Sequence, residues 1–400
     1  MNTQELLTLS DKHLMTFTKR QPVALVRGEG VRVWDTDGRE YLDFTGGIAV
    51  TALGHCHPRV VGTLREQAAT LLHVSNLFLV PPQIHLAKLL CDHSFADRVF
   101  FSNSGAEANE TAIKLARKWA KEHGASDRGD IITMRGGFHG RTLATVTATA
   151  QEKYHHGFEP LPTGFKYVAF DDLRAVERAI DSRTAAVLVE PLQGEGGVIV
   201  PGDGYLPGLR KLCDEAGILL ILDEIQTGMG RTGRLWAYEH SGVAPDIMTV
   251  AKALANGVPI GATLATEDVA SAFTPGTHGS TFGGNPLATA VGLTVLGTLI
   301  EEGLPARAAR VGRALMARMT AIQGRHPRLV KDVRGRGLLI GLDLAPPVAA
   351  VLTACRERGL LVLTAGDNTL RLAPPLILDE ADAERAAEIV EKSLVTTAPA

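Results

Sequence analysis

The chain has little of the material from which several specialised protein classes are built. Its cysteines, Cys56, Cys91, Cys213 and Cys355, are only 4 among 400 residues and are widely scattered. With no C-x-x-C pair and no short spacing suited to structural zinc, neither a disulfide framework nor a metal module is indicated, and a reducing compartment is expected. The net charge is only -3 and no block of five like charges occurs, so nothing points to a nucleic-acid surface. The N-terminus lacks the basic start, apolar run and small-residue cleavage site of a signal peptide, which gives the expectation of a cytoplasmic protein. Residues 287–300 are the longest candidate membrane span, but threonines and glycines interrupt them and they fall short of the roughly 20 residues a bilayer requires. Asn285-Pro286 before this run and Gly303 after it read instead as the ends of a buried helix. There is no internal repeat and no low-complexity segment.

What is present is ordinary globular composition, with 45% hydrophobic and 21% charged residues. At roughly 150 residues per domain, the length corresponds to two or three domains with ample core. A small-molecule partner fits best, with no nucleic acid and no membrane.

The first 30 residues read as a helix and an extended arm, and residues 31–44 alternate around Asp37-Gly38, a hairpin signal. From about Thr51 short apolar runs alternate with amphipathic stretches, at residues 98–101, 130–134, 185–189, 217–222, 246–250 and 261–265. That rhythm predicts an α/β sheet, and several runs are apolar enough to need cover on both faces. The first five runs are each followed by glycine-rich or polar segments, beginning at Ser102, Arg135, Glu190, Asp223 and Ala251. Ligands bind outside the carboxyl ends of strands in such sheets, so these five segments should face one crevice. After about Glu302, helix, a hairpin-like strand pair at 334–344, helix and strand suggest a smaller α+β domain.

Lys252 is a lone cation at the end of an apolar strand, where desolvation favours the neutral amine, a nucleophile able to form a Schiff base with an aldehyde. The plain alternative is a lysine snorkelling at a strand end. Asp223 follows Leu219-Leu-Ile-Leu222 and needs a cationic partner, which a protonated pyridine ring would supply; otherwise it is a cap or a surface ion pair. Ser104-Gly105-Ala106 opens an amphipathic helix whose free N–H groups suit phosphate, although Ser-x-x-Glu is also a plain capping box. Phe138 and Arg141, on a glycine-rich turn, offer a stacking face and a carboxylate clamp, or else core and a surface charge. Two further patterns carry less. Gly228-Met-Gly-Arg-Thr-Gly233 has the form of a dinucleotide fingerprint, but Asp223 to Thr227 separate it from its strand. His55-Cys56-His57 cannot all face one ion without a distorted loop and reads as a turn before Pro58.

Taken together these residues resemble the class III pyridoxal-phosphate aminotransferases over nearly the whole chain. The most specific pieces are Asp223-Glu-Ile-Gln-Thr-Gly-Met-Gly-Arg-Thr-Gly233 and Lys252. The resemblance implies the fold of aspartate aminotransferase (fold type I), with a large mixed-sheet α/β domain and a smaller α+β domain. Its parts would be an N-terminal arm and hairpin at 1–50 packing with the small domain, a cofactor-binding domain at 51–300 and a small domain at 301–400.

Within the family, the segments at 46–58, 194–197 and 279–286 are similar to the acetylornithine branch. That likeness implies transfer of the terminal amino group of N2-acetyl-L-ornithine to 2-oxoglutarate, with succinyl-diaminopimelate, succinylornithine or ornithine as alternative substrates. It also implies the roles of individual residues. Lys252 would join the aldehyde of pyridoxal 5'-phosphate and carry the proton, with Asp223 on the ring nitrogen and Gln226 on the ring hydroxyl. Phe138 would stack on the ring and Gly105 and Ala106 would hold the phosphate, with Glu224 and Ile225 also at the cofactor. Thr281 would reach the phosphate of the neighbouring subunit in a homodimer, with Ser280 near substrate. Arg141 would take the α-carboxylate, and Glu195 and Arg371 would be a switch pair that opens when glutamate enters. The tyrosine and second aromatic that many relatives carry near Thr18-Lys-Arg-Gln-Pro22 are absent, which leaves the acyl group open.

Overall fold

A computed structural model describes residues 1–124 and 126–398. The helix Thr3–His13 opens the chain, held at its start by a capping box between Asn2 and Glu5. Strands β1 (Leu25–Glu29), β2 (Arg32–Asp35) and β3 (Glu40–Asp43) then pair antiparallel. The turn expected at Asp37-Gly38 joins β2 to β3: the Asp35 carboxylate accepts from the N–H groups of Asp37 and Arg39, and Gly38 takes a φ of 78°.

The main sheet has seven strands: β4 (Arg98–Ser102), β5 (Asp130–Met134), β6 (Phe165–Val168), β7 (Thr184–Val189), β8 (Leu219–Asp223), β9 (Ile247–Val250) and β10 (Gly261–Ala265). Their spatial order is β4-β10-β9-β8-β7-β5-β6, and β10 alone runs antiparallel to its neighbours. The sheet is therefore mixed, as expected, and every residue of β7, β8 and β9 is buried between covering helices.

Two details differ from the sequence pattern. The run at 217–222 becomes a strand only from Leu219, because Gly217 adopts a left-handed φ of 59° as the end of the helix Tyr205–Ala216. β6 carries Lys166 and is only partly buried, so it gives no apolar run; it pairs with β5 alone, at the sheet edge.

Residues 287–300 lie in the helix Pro286–Glu301, capped by the Asn285 side chain, which accepts from the N–H of Ala288. Among the described residues no single helix is long and apolar enough to cross a membrane. Beyond the helix Leu304–Arg325, β11 (Val330–Arg336) and β12 (Leu339–Leu344) form the hairpin expected at 334–344. β13 (Leu360–Leu361) pairs parallel with β3, placing Leu360 opposite Leu42 and joining the N-terminal hairpin to the last part of the chain. β14 (Leu363–Ala365) and β15 (Thr369–Leu372) complete a sheet of order β11-β12-β15-β14.

Candidate active site

The carboxyl ends of β4, β5, β7, β8 and β9 border one cavity of about 400 Å³. Lys252, one residue beyond the β9 extension Ala251, reaches it by adopting a φ of 38°, a left-handed conformation that a side chain other than glycine takes only under local constraint. Its exposed part lines the cavity. Burial holds the Lys252 ammonium below the ordinary lysine range; Arg371 adds to that effect, while Glu195, Asp223 and Glu190 oppose it. A lysine that gives up its proton readily is a nucleophile and a proton carrier.

Asp223 ends β8 and is almost wholly buried. Its Oδ2 accepts from Asn109 Nδ2 and lies against His139 Nδ1, each at 2.8 Å, and Oδ1 accepts from the N–H of Ile225 at 3.1 Å. Asn109 is fixed in turn by Thr249 Oγ1 on β9, at 2.8 Å. Two neighbours and a backbone donor thus aim this carboxylate.

The helix Gly105–His123 begins at the cavity wall. Ser104 Oγ accepts from the N–H of Glu107 at 3.2 Å, which leaves the N–H groups of Gly105 and Ala106 without an intrahelical partner. A Cβ built on Gly105 would stand 2.8 Å from Ile225 Cδ1, so the glycine lets the helix start sit directly on that side chain.

Phe138 and Arg141 lie on the turn after β5. The Arg141 guanidinium is 3.9 Å from the centre of the Tyr154 ring and 5.5 Å from that of Phe138, and the two rings meet edge to face at 6.0 Å. Glu195 and Gln226 also line the cavity, and Arg371 stands behind them: Glu195 Oε1 is 2.5 Å from Arg371 Nη1 and accepts from Gln226 Nε2 at 3.2 Å, while Gln226 Oε1 accepts from Arg371 Nη1 at 3.2 Å. Burial pushes the Glu195 carboxyl up, but Arg371 and Lys252 outweigh it and hold it below the ordinary carboxylate range.

Gly105, Ala106, Phe138, Arg141, Glu195, Asp223, Ile225, Gln226 and Lys252 therefore line one cavity. Gln226, expected at a ring hydroxyl, is here the third member of the Glu195–Arg371 cluster. Glu224 is corrected: its side chain turns away and accepts from Thr227 Oγ1 and from the N–H groups of Ala237 and Tyr238, holding the next loop. Burial raises its carboxyl to about 7. Ser280 and Thr281 border a separate, adjoining recess, where Ser280 Oγ accepts from Asn103 Nδ2.

The dinucleotide-like loop at 228–233 is structural. Gly230 abuts Pro305, Gly233 abuts Ala309, and Arg231 Nη1 donates to the carbonyls of Leu338 and Pro374. His55 pairs with Asp43 at 2.8 Å and Cys56 turns the chain with a φ of 52°, as the expected turn before Pro58 requires.

The sequence pattern passed over Asn109, His139, Tyr154 and Glu190. Glu190 had a signal: like Asp223, it directly follows a wholly apolar strand. Asn109, His139 and Tyr154 acquire meaning only from partners distant in sequence.

The family profile for Aminotransferase class-III matches residues 16–394. The chain belongs to the class III aminotransferases. It is accordingly a pyridoxal-phosphate-dependent transaminase. Among its relatives, the acetylornithine aminotransferase of Myxococcus xanthus is 52% identical over 94% of each chain. That of Caldanaerobacter subterraneus subsp. tengcongensis is 49% identical over 97% of this chain and 99% of its own. Among solved structures, the ornithine aminotransferase of Toxoplasma gondii ME49 superposes with a TM-score of 0.96 at 37% identity, covering 99% of this chain and 96% of its own. The acetylornithine aminotransferase of Elizabethkingia anophelis gives 0.89 at 35% identity, covering 99% of this chain and 100% of its own.

The donor set fits the class III cofactor. Two N–H groups without intrahelical partners at a helix start, a buried carboxylate held by neutral and imidazole donors, and an amine whose proton is weakly held all border the same cavity.

Proposed function

We infer that this chain moves the terminal amino group of N2-acetyl-L-ornithine to 2-oxoglutarate, giving N-acetyl-L-glutamate 5-semialdehyde and L-glutamate, a step of arginine biosynthesis. The observation that carries the reading is the Glu195–Arg371 pair beside Lys252. Closed, it presents little net charge to a neutral acyl-amine tail; opened, it offers a guanidinium to a second carboxylate. The acetylornithine aminotransferases that are about half identical over almost the whole chain support the same substrate.

Bound pyridoxal 5'-phosphate supplies an aldehyde for the amine and a ring that accepts the electron pair left at the substrate carbon. The protein's residues do the rest. With the cofactor bound, Gly105 and Ala106 would offer N–H groups to its phosphate, Phe138 would stack on its ring, and Asp223 would keep a proton on the ring nitrogen. Lys252 Nζ takes the proton from the substrate carbon and returns it. Arg141 clamps the α-carboxylate of the acyl-ornithine. When glutamate is the donor, its α-carboxylate displaces Glu195 and takes Arg371, each charge-assisted bond contributing about 1.5–3 kcal/mol.

The working unit is a homodimer in which Thr281 reaches the partner's phosphate and Ser280 borders its substrate, which accounts for their place outside the cavity of their own chain. Residues 51–300 carry the cofactor, and residues 301–400 with the arm and hairpin of 1–50 carry Arg371 to it.

Amino-donor profiling tests the reading. Acetylornithine should give the highest kcat/KM; a higher value for free ornithine, succinylornithine, succinyl-diaminopimelate or 4-aminobutyrate would overturn the substrate assignment. Ornithine is the main competitor, given the ornithine aminotransferases among the solved structures that superpose well.

A further inference from the structure

One carboxylate in the cavity wall has no task in the mechanism above. Glu190 directly follows β7 and is almost wholly buried. Its Oε2 accepts from the N–H of Phe138 at 3.0 Å and its Oε1 from the N–H of Gly194 at 3.2 Å. A single side chain therefore ties the turn that bears Phe138 and Arg141 to the loop that bears Glu195.

Beside it stands His139. Its Nδ1 is 2.8 Å from Asp223 Oδ2, while its Nε2 is buried without a hydrogen-bond partner among the described residues. Glycine at position 137 keeps the space between them open: a Cβ there would stand 3.2 Å from His139 Nε2 and 3.5 Å from Glu190 Oε2. The imidazole thus has one carboxylate bonded to Nδ1 and a second on its Nε2 side, beyond Gly137. Protonated, Glu190 is neutral and keeps one accepting oxygen; ionised, it places a second negative charge on the Nε2 side of the imidazole.

We propose that Glu190 is a positioning residue of the transamination site, which acts through His139 to set the charge that Asp223 presents to the cofactor's ring nitrogen.

The charged groups around it agree. Burial raises the Glu190 carboxyl to about 7, with Asp223 adding to the rise and His139 opposing it. Burial works against the His139 imidazolium, yet Asp223 and Glu190 carry it above the ordinary histidine value. Lys252 also feels the Glu190 charge. The Glu190 carboxyl and the His139 imidazole are thus both shifted upward, each by the surroundings it shares with the other.

The proposal rests on the pyridoxal-phosphate reading of the cavity, and the two fail separately. A wild-type protein that binds no pyridoxal 5'-phosphate would sink that reading, whereas the proposal is tested on variants of a protein that does. The test is the visible absorption of the resting holoenzyme titrated from about pH 5.5 to 9, with the cofactor dissociation constant measured alongside. Glu190→Gln is expected to move the titration midpoint by about one pH unit or more, or to abolish it, and to weaken cofactor binding several-fold. Glu190→Asp, which keeps the charge, should restore a titration while lowering the rate of the half-reaction. A midpoint and cofactor affinity unchanged in Glu190→Gln would overturn the proposal. If that variant does not fold, Glu190→Asp decides alone: a shorter carboxylate that left the titration midpoint, the cofactor affinity and the rate of the half-reaction all at wild-type values would be equally fatal.

Discussion

Arg371 is fixed and Glu195 is movable. The Arg371 side chain is 2% exposed and sits on β15, between β12 and β14, whereas the Glu195 side chain is 25% exposed and sits on the loop after β7. Of the two partners at 2.5 Å, only the carboxylate can leave without dismantling a sheet.

This asymmetry separates the two half-reactions. Arg371→Lys keeps the charge but loses the planar fork, and should raise KM for 2-oxoglutarate by about 10- to 100-fold, from the loss of one charge-assisted bond of about 1.5–3 kcal/mol. The half-reaction with the acyl-amine should change much less. Stopped-flow measurement of each half-reaction alone checks this, and equal losses in both would contradict a switch.

Lys252 links activity, stability and pH. Its ammonium is disfavoured by burial, so between its lowered value and the ordinary lysine value the unfolded chain binds more protons than the folded one. Stability of the cofactor-free protein should therefore rise with pH through that window. Lys252→Met keeps the aliphatic stem and removes the charge, so its Tm at pH 7 should equal or exceed that of the wild type and lose this pH dependence. Turnover should fall by about 100- to 10,000-fold or more, the typical worth of a positioned proton carrier. A cofactor-free variant clearly less stable than wild type at pH 7 would contradict the stated direction of the shift.

The legible part of this molecule was what repeats or stands at a strand end. Each of the six apolar runs became a strand of the main sheet, and in β7, β8, β9 and β10 burial of every residue leaves a continuous apolar signal. Asp223 and Lys252 stood out as charges in places where an isolated charge is costly. The edge strand β6 was hidden by its half-wet face and by Lys166, whose ammonium bonds Thr184 and Asp181. The support behind Asp223 was hidden for another reason. Asn109, His139 and Thr249 come from a helix, a turn and a strand, and no local spacing records that they meet. Glu224 misled because it adjoins Asp223, although neighbours at a strand end point to opposite sides.

Tyr154 was invisible in the same way, and its role is separable. Its ring lies 3.9 Å beneath the Arg141 guanidinium, which makes no hydrogen bond or ion pair among the described residues and so remains available to a carboxylate. Tyr154→Leu removes a cation–π contact worth about 0.5–2 kcal/mol, so KM for the acyl-amino acid should rise by about 2- to 30-fold with little change in Tm. Tyr154→Phe keeps the ring face and should behave as wild type. Equal losses in the two variants would show that the hydroxyl, not the stacking, matters.

The start of the helix Gly105–His123 gives a test with its own rescue. Gly105 does not need glycine for its backbone angles; it needs glycine for space, since a Cβ would lie 2.8 Å from Ile225 Cδ1 and 3.0 Å from Cγ2. Alanine would force Ile225 to shift, and Ile225 lines the cavity where the cofactor ring would lie. Gly105→Ala should therefore weaken retention of pyridoxal 5'-phosphate about tenfold or more, within the range of overpacking costs of about 1–3 kcal/mol, while leaving the cofactor-free fold close to wild-type stability. Ile225→Val removes the Cδ1 methyl, the atom nearest the new Cβ. The double variant Gly105→Ala/Ile225→Val should regain most of the lost affinity, although Ile225→Val alone adds no new contact to the cofactor. Dissociation constants for the four proteins form a double-mutant cycle, and a coupling near zero would mean that Gly105 serves the phosphate in some way other than by its closeness to Ile225.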